Sequence, residues 1–159
     1  MKQLLLLRHA EAEPAPAGSS DNDRALTDRG RREAVSAANA IAAAGLTIDE
    51  ALASPAQRTR ETASIVARRL NLTLPITHVA TLYLAAPQVI LQALQSCRAQ
   101  SRTVLLIAHN PGLSDLVHEL AGGTQAMVLR TAGLCHLTLP QQSWEQTGTV
   151  SASACEILR

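Results

Sequence analysis

Short continuous apolar runs alternate along this chain with longer segments whose apolar positions recur every three or four residues. The strongest runs are Leu4-Leu5-Leu6-Leu7 and Val104-Leu105-Leu106-Ile107-Ala108, with shorter ones at Glu50 to Ser54 and Ile76 to Val79. Uninterrupted runs of this length fit strands covered on both faces, as in a parallel sheet. Between them the three-and-four spacing predicts helices. One opens at Thr27, carries a small face through Ala34, Ala37, Ala38 and Ile41, and stops at Gly45. A second runs from Ser54 to about Leu70, with Ser54 as N-cap, Pro55 at the first helical position and Gln57 completing a capping box. A third covers Gln88 to Gln95. Leu113, Leu116, Val117 and Leu120 mark a fourth, ended by Gly122-Gly123. From Ala132 to Leu139 and from Thr149 to Leu158 the pattern returns to strands, joined through Pro140 to Gly148 as an antiparallel hairpin at one edge. The expected fold is α/β, a three-layer sandwich with a mostly parallel central sheet, built as a single domain over 1–159.

Composition narrows the functions open to such a fold. A chain of 159 residues buries roughly 70% of its unfolded surface, enough for a full core without staples. Tyr83 and Trp144 are its aromatics, and with no phenylalanine the core must be leucine, valine, isoleucine and alanine. That argues against recognition by base stacking. The net charge of +1 provides no broad field for nucleic acid or membrane, so any anion site must be local. Cys97, Cys135 and Cys155 are odd in number and far apart in sequence, with no C-x-x-C pair, and read as reduced, mostly buried thiols. The four leucines after Met1-Lys2-Gln3 are too few for a signal peptide core of ~7–15 residues, and no stretch approaches the ~18 needed to span a membrane. A cytoplasmic protein is expected.

The chemistry sits at the ends of the runs. Arg8-His9 closes the first and His109-Asn110 closes the central one, while Arg58 falls in the first turn of the helix that follows Ser54. In open α/β sheets ligands bind outside the carboxyl ends of the strands, which places these groups on one rim. Helix N-termini near Pro55 and Pro111 point there too and favour an anion. A strand-end histidine is by itself more often structural, and a lone helix arginine is usually solvated. Two imidazoles and two guanidinium groups at equivalent ends are chemistry for a phosphoryl group. The cations should keep one histidine neutral, hence nucleophilic, because like charge lowers its pKa. His78, His118 and His136 read as structural; His118-Glu119 begins like H-E-x-x-H but continues Leu120-Ala121-Gly122, which does not support zinc.

The strings Arg8-His9-Ala10-Glu11, Arg24-Ala25-Leu26-Thr27-Asp28-Arg29-Gly30, Ser54-Pro55-Ala56-Gln57-Arg58-Thr59-Arg60-Glu61-Thr62 and His109-Asn110-Pro111-Gly112 together resemble the histidine phosphatase superfamily. Within it the chain is similar to the small bacterial phosphohistidine phosphatase branch, the SixA-like proteins. The likeness covers nearly the whole chain, including Thr131-Ala132-Gly133, and implies a phosphoglycerate mutase-like fold. It departs at Ala10, where glycine is usual. It implies that His9 attacks phosphorus and becomes a transient phosphohistidine, while Arg8, Arg58 and His109 hold the equatorial oxygens, with Asn110 as a further substrate-binding position. No metal or other cofactor is implied.

One absence discriminates between substrates. Members acting on sugar phosphates or phosphoglycerate carry a mid-chain acid for the leaving alkoxide, and no aspartate or glutamate occurs between Glu61 and Asp115; Thr81-Leu82-Tyr83-Leu84, where it would stand, has none. Imidazole leaves phosphohistidine without such help far more readily. The expected activity is therefore release of phosphate from phosphohistidine on a phosphotransfer or signalling protein, at a site with no insertion long enough to form a lid. Glu11, Glu13 or an acid of the Asp21 to Asp28 loop are the alternative donors. The polar Pro14 to Arg24 loop would touch the partner or be mobile. The competing readings are a small-molecule phosphomonoesterase, for a sugar or nucleotide phosphate, and a non-catalytic phosphate-binding module.

Overall fold

In the computed structural model, which describes residues 1–123 and 127–159, the elements run β1 (Lys2–Arg8), α1 (Asp28–Ala43), β2 (Glu50–Ala53), α2 (Gln57–Arg69), β3 (Ile76–His78), α3 (Pro87–Gln95), β4 (Thr103–Ala108), α4 (Gly112–Leu120), β5 (Leu134–Leu139) and β6 (Ala154–Leu158). The strands form one sheet in the order β3-β2-β4-β1-β5-β6. β1 to β4 are mutually parallel where they pair, and β5 and β6 add an antiparallel edge. This is the predicted α/β sandwich.

Alternation along β1 builds the layers. Leu4 and Leu6 point to one face, with Val104 and Leu106, beneath α3 and α4; Leu5 and Leu7 point to the other, with Leu105 and Ile107, beneath α1 and α2. All four β1 leucines are fully buried, each contributing roughly 1.5–3 kcal/mol of transfer free energy. Trp144 is buried as well, its indole N–H donating to the Ser101 carbonyl at 2.8 Å.

Two glycines of the motif strings permit close packing near the strand ends. A Cβ at Gly30 would lie 2.0 Å from the Glu11 carbonyl oxygen, and one at Gly112 would lie 1.9 Å from that of Ala85. Thr27 caps α1 as expected, accepting from the Gly30 N–H at 2.8 Å. At Gly45, the predicted stop, φ is +67°.

The structure corrects three boundaries. α2 begins at Gln57 and its N-cap is Ala56; the Ser54 hydroxyl takes the Ala56 N–H at 3.4 Å, one residue before the helix, and makes its shorter contact with His109. β5 begins at Leu134, since Ala132 turns with φ +50° and gives its N–H to the His9 carbonyl. β6 begins at Ala154, because Thr149 gives its N–H and hydroxyl back to the Gln146 carbonyl and Ala152 gives its N–H to the Leu120 carbonyl at the end of α4. The cysteines, distant in sequence, are not all apart in space. Cys135 and Cys155 meet across β5 and β6 with sulfurs 3.4 Å apart, both as free thiols, and burial pushes Cys97 up to about 12. No helix among the described residues is long and apolar enough to cross a membrane.

Candidate active site

β1 and β4 are neighbours at the centre of the sheet with Arg8 opposite Ala108, so the next residue of each strand, His9 and His109, emerges at the same end. Their ring centroids are 5.2 Å apart. β2 lies on the other side of β4, and the turn after it brings Ser54 and then Arg58, in the first turn of α2, to the same rim.

Hydrogen bonds settle both tautomers. His9 Nδ1 lies 2.8 Å from the Ala10 carbonyl, which can only accept, so Nδ1 carries the proton and Nε2 the lone pair. Arg58 Nη2 lies 3.3 Å from His109 Nδ1; a guanidinium can only donate, so the His109 proton is on Nε2, which donates to Ser54 Oγ at 2.7 Å. Burial above all pushes His9 down to about 4, helped by Arg58, Arg8 and Arg24 and opposed by the Ala10 contact. Burial, then His9 and Arg58, push His109 down to about 3. Both rings are thus neutral at pH 7, and the main cause is desolvation, with the cations expected from the sequence contributing less.

Arg58 is only 2% exposed, and its Nε donates to His9 Nε2 at 3.3 Å. Arg8 Nη1 donates to the Leu129 carbonyl at 3.0 Å, while its Nε is buried without a hydrogen-bond partner. Asn110 Nδ2 donates to that same carbonyl at 2.7 Å and Asn110 Oδ1 accepts from Ser114 at 2.7 Å, so its amide braces the rim. Arg8, His9, Glu11, Asp21, Arg24, Arg58, His109, Asn110 and Thr131 line a pocket of about 360 Å³. A larger cleft beside it, about 520 Å³, is lined by Asp23, Gln57, Arg60 and His78 and lacks a buried imidazole pair. The side chain of Ala10, where glycine is usual, is fully buried against Leu26 and Ala34, and its N–H donates to Thr62 Oγ1 at 3.1 Å.

The alternative acids separate. Glu11 lines the pocket, but its carboxylate accepts from Thr27 Oγ1 at 2.7 Å and faces Arg29 at 3.7 Å, tying it to the start of α1. Glu13 is exposed and contributes its backbone carbonyl to Arg24. Asp21 does fold over the site. It accepts from Tyr83 Oη at 2.5 Å, Arg58 Nη2 at 3.0 Å and Arg24 Nη1 at 3.1 Å, and these donors, Tyr83 first, hold it well below the usual carboxylate range. The polar loop is therefore tied to the site at this end. Tyr83, passed over in the sequence because it is no acid, sits edge-on to His109 at 5.6 Å; nothing local in the sequence signals its pairing with a residue 62 positions away.

The remaining histidines stand elsewhere. His136 bridges Gln3 and Glu156 on the sheet, and His78 lines the neighbouring cleft. Among the described residues no group of three His, Cys, Asp or Glu side chains is placed to hold a metal ion.

Residues 4–83 match the family model of the histidine phosphatase superfamily (branch 1). An uncharacterized protein of Mycobacterium tuberculosis is 33% identical over 124 residues, which cover 77% of this chain and 75% of that one. Among solved structures, the protein histidine phosphatase SixA complexed with tungstate aligns with a TM-score of 0.82 and 26% identity over 98% of this chain and 96% of that one. A chain of Agrobacterium tumefaciens described as a candidate phosphohistidine phosphatase SixA aligns at 0.78 with 28% identity over 86% and 90%.

Proposed function

The chain belongs to the histidine phosphatase superfamily, branch 1, and on that premise we propose that it hydrolyses phosphohistidine on a phosphotransfer or signalling protein, with His9 as nucleophile. The observation that carries the chemistry is the His9 tautomer: Nδ1–H is committed to the Ala10 carbonyl, leaving the Nε2 lone pair in the pocket beside Arg58. A neutral imidazole with a directed lone pair is ready to attack.

The substrate phosphoryl group enters beside His9, with Arg8, Arg58 and His109 on its equatorial oxygens. The Nε2–P bond forms as the P–N bond to the substrate imidazole breaks, and the departing imidazole takes a proton from water. Positive charge developing on the His9 ring is met by the Ala10 carbonyl at Nδ1. Water then attacks phosphorus as the Nε2–P bond breaks and its electron pair returns to His9; one water proton stays on the phosphate, the other neutralises the hydroxide left by the first step, and His9 returns neutral. Positioning and fixed charge supply the catalysis of such a loose transition state, and the two arginines carry the charge without a metal.

The substrate class is supported by what the acids do. Asp21 is held ionised by three donors and so has no proton to give an alkoxide, while the Glu11 carboxylate is turned to Thr27 and Arg29 at the start of α1. Imidazole departs far more easily. The test is phosphate release from a phosphohistidine-bearing phosphotransfer domain against a panel of alkyl phosphates, with His9→Ala as control. Preference for the phosphohistidine, lost in the variant, is expected. Faster turnover of alkyl phosphates would overturn the substrate assignment in favour of a small-molecule phosphomonoesterase, and binding without turnover would make the protein a phosphate-binding module.

A further inference from the structure

Arg58 presents two edges, and they face different things. The side edge, Nε and Nη2, faces the histidines, with Nε donating to His9 Nε2 and Nη2 to His109 Nδ1, each at 3.3 Å. The end edge, Nη1 and Nη2, is taken entirely by one residue: Nη1 donates to the Asp21 carbonyl oxygen at 2.8 Å and Nη2 to its carboxylate at 3.0 Å. We propose that Asp21 is a positioning residue that clamps the end edge of Arg58 so that its side edge is held toward the phosphoryl group, with Tyr83 fixing Asp21 in turn. The proposal rests on the reading that Arg58 holds a transferring phosphoryl group.

An isolated guanidinium can swing about its last torsions and offer either edge. Bidentate capture of an oxyanion needs one edge in one orientation, and preorganisation of such donors is a large part of phosphoryl-transfer catalysis. A carboxylate alone would be a weak anchor here, since the Asp21 side chain is 43% exposed. The clamp is stiffened from three directions. The Tyr83 hydroxyl holds Oδ2 at 2.5 Å, Arg24 holds Oδ1 at 3.1 Å, and Ser20 and Asp23 close the 3-10 turn that carries Asp21.

The backbone adds an independent sign. Leu84, immediately after Tyr83, adopts φ +47° although its side chain is 56% exposed and gains little from burial. A leucine in the left-handed region is strained, and such strain is kept where the surrounding structure needs the geometry. Here it accompanies the delivery of Tyr83 to Asp21.

Two other roles for Asp21 fit less well. As a proton donor it has no proton, being held ionised. As a blocker of phosphate it sits on the wrong edge, because the side edge toward His9 and His109 stays available once oxygens replace the ring nitrogens as acceptors.

The experiment compares wild type, Asp21→Asn, Tyr83→Phe and, as a control at an exposed position in the same turn, Asn22→Ala. Turnover is measured on phosphohistidine and on phenyl phosphate. Nitrogen-15 spectra of the Arg58 side chain are recorded with tungstate bound. Asp21→Asn should lower kcat by about 10–100-fold with KM changed by less than about threefold, the pattern of lost positioning. Its Arg58 Nη signals, separate in wild type, should merge as the group begins to rotate. Tyr83→Phe should move both readouts the same way by less, and Asn22→Ala neither. The proposal is overturned if Asp21→Asn keeps kcat within about twofold, if only KM rises, or if the Nη signals stay separate. A wild type inactive on every phosphoryl donor would instead sink the functional reading, and the clamp with it; preference for phenyl phosphate would change the substrate class and leave the clamp to be decided by the same variants.

Discussion

Ser54 Oγ and His109 Nε2 lie 2.7 Å apart, so one hydroxyl serves an active-site ring and, at 3.4 Å, the Ala56 N–H just before α2. Ser54 is fully buried, so Ser54→Ala leaves the His109 N–H without its acceptor and should cost about 1–3 kcal/mol of stability. It should also free the His109 ring to turn, lowering kcat by about tenfold. Denaturant unfolding and steady-state kinetics on the same variant check both; a stability loss with unchanged kcat would mean that ring orientation is held by other contacts.

Brief exposure of the enzyme to a radiolabelled phosphohistidine substrate should leave label on His9. The linkage should be labile in acid, as a phosphoramidate is. His9→Ala should abolish the label and lower turnover by about 10³–10⁶-fold, whereas His109→Ala should slow turnover by about 10²–10³-fold and still accept the label. Label appearing on another residue would reassign the nucleophile.

The acid limb of activity should lie unusually low. With His9 at about 4, kcat/KM should stay level down to pH 5 and fall only as His9 takes up a proton. An ordinary histidine would place that limb near pH 6.5, so a limb there would show that His9 is more hydrated than its surroundings indicate.

Stability follows the same shift with a definite sign. The folded pKa of His9 lies below its unfolded value of 6.5, so the unfolded chain binds more protons between pH 6.5 and about 4. Stability is therefore complete above pH 6.5 and is lost as pH falls through that window. His9 should account for about 3 kcal/mol of the loss, since each pKa unit corresponds to about 1.4 kcal/mol. Urea unfolding at pH 7.5 and 4.5, wild type against His9→Gln, measures it; equal losses in both proteins would contradict the assignment.

Gly112→Ala should destabilise the fold by roughly 3 kcal/mol or more, because its new Cβ would meet backbone, the Ala85 carbonyl oxygen at 1.9 Å, and not a side chain that can move aside. Activity should fall with it, since Gly112 follows directly on His109-Asn110-Pro111. A midpoint within experimental error of wild type would show that the Ala85 segment yields easily.

What could be read in the sequence was what neighbouring residues decide. The β4 run Thr103–Ala108 was visible because six successive buried positions leave no other pattern, and His9 and His109 followed from where β1 and β4 stop. The errors lay where a residue's partner comes from another part of the chain. Ser54 has the residue type and spacing of a helix cap and does take the Ala56 N–H, but its shorter contact, to His109, comes from the end of a strand 55 positions away. Asp21 and Tyr83 belong to separate loops whose meeting no periodicity records, so the search for a mid-chain acid at Thr81 to Leu84 found an empty slot where the structure has a tyrosine holding an acid from elsewhere. Cys135 and Cys155 likewise became neighbours only through the register of β5 on β6.

The sheet order gives the site a history within each molecule. β1, which ends beside the proposed nucleophile, is synthesised before either of its partners, since β4 and β5 lie more than ninety residues downstream. Until synthesis has passed Ala108 that strand has neither neighbour, until Leu139 it lacks part of β5, and until Leu129 Arg8 has no carbonyl to bind. The nascent chain thus carries His9 beside incompletely paired leucines until β4 and β5 have both been made, and the pocket takes shape only after that.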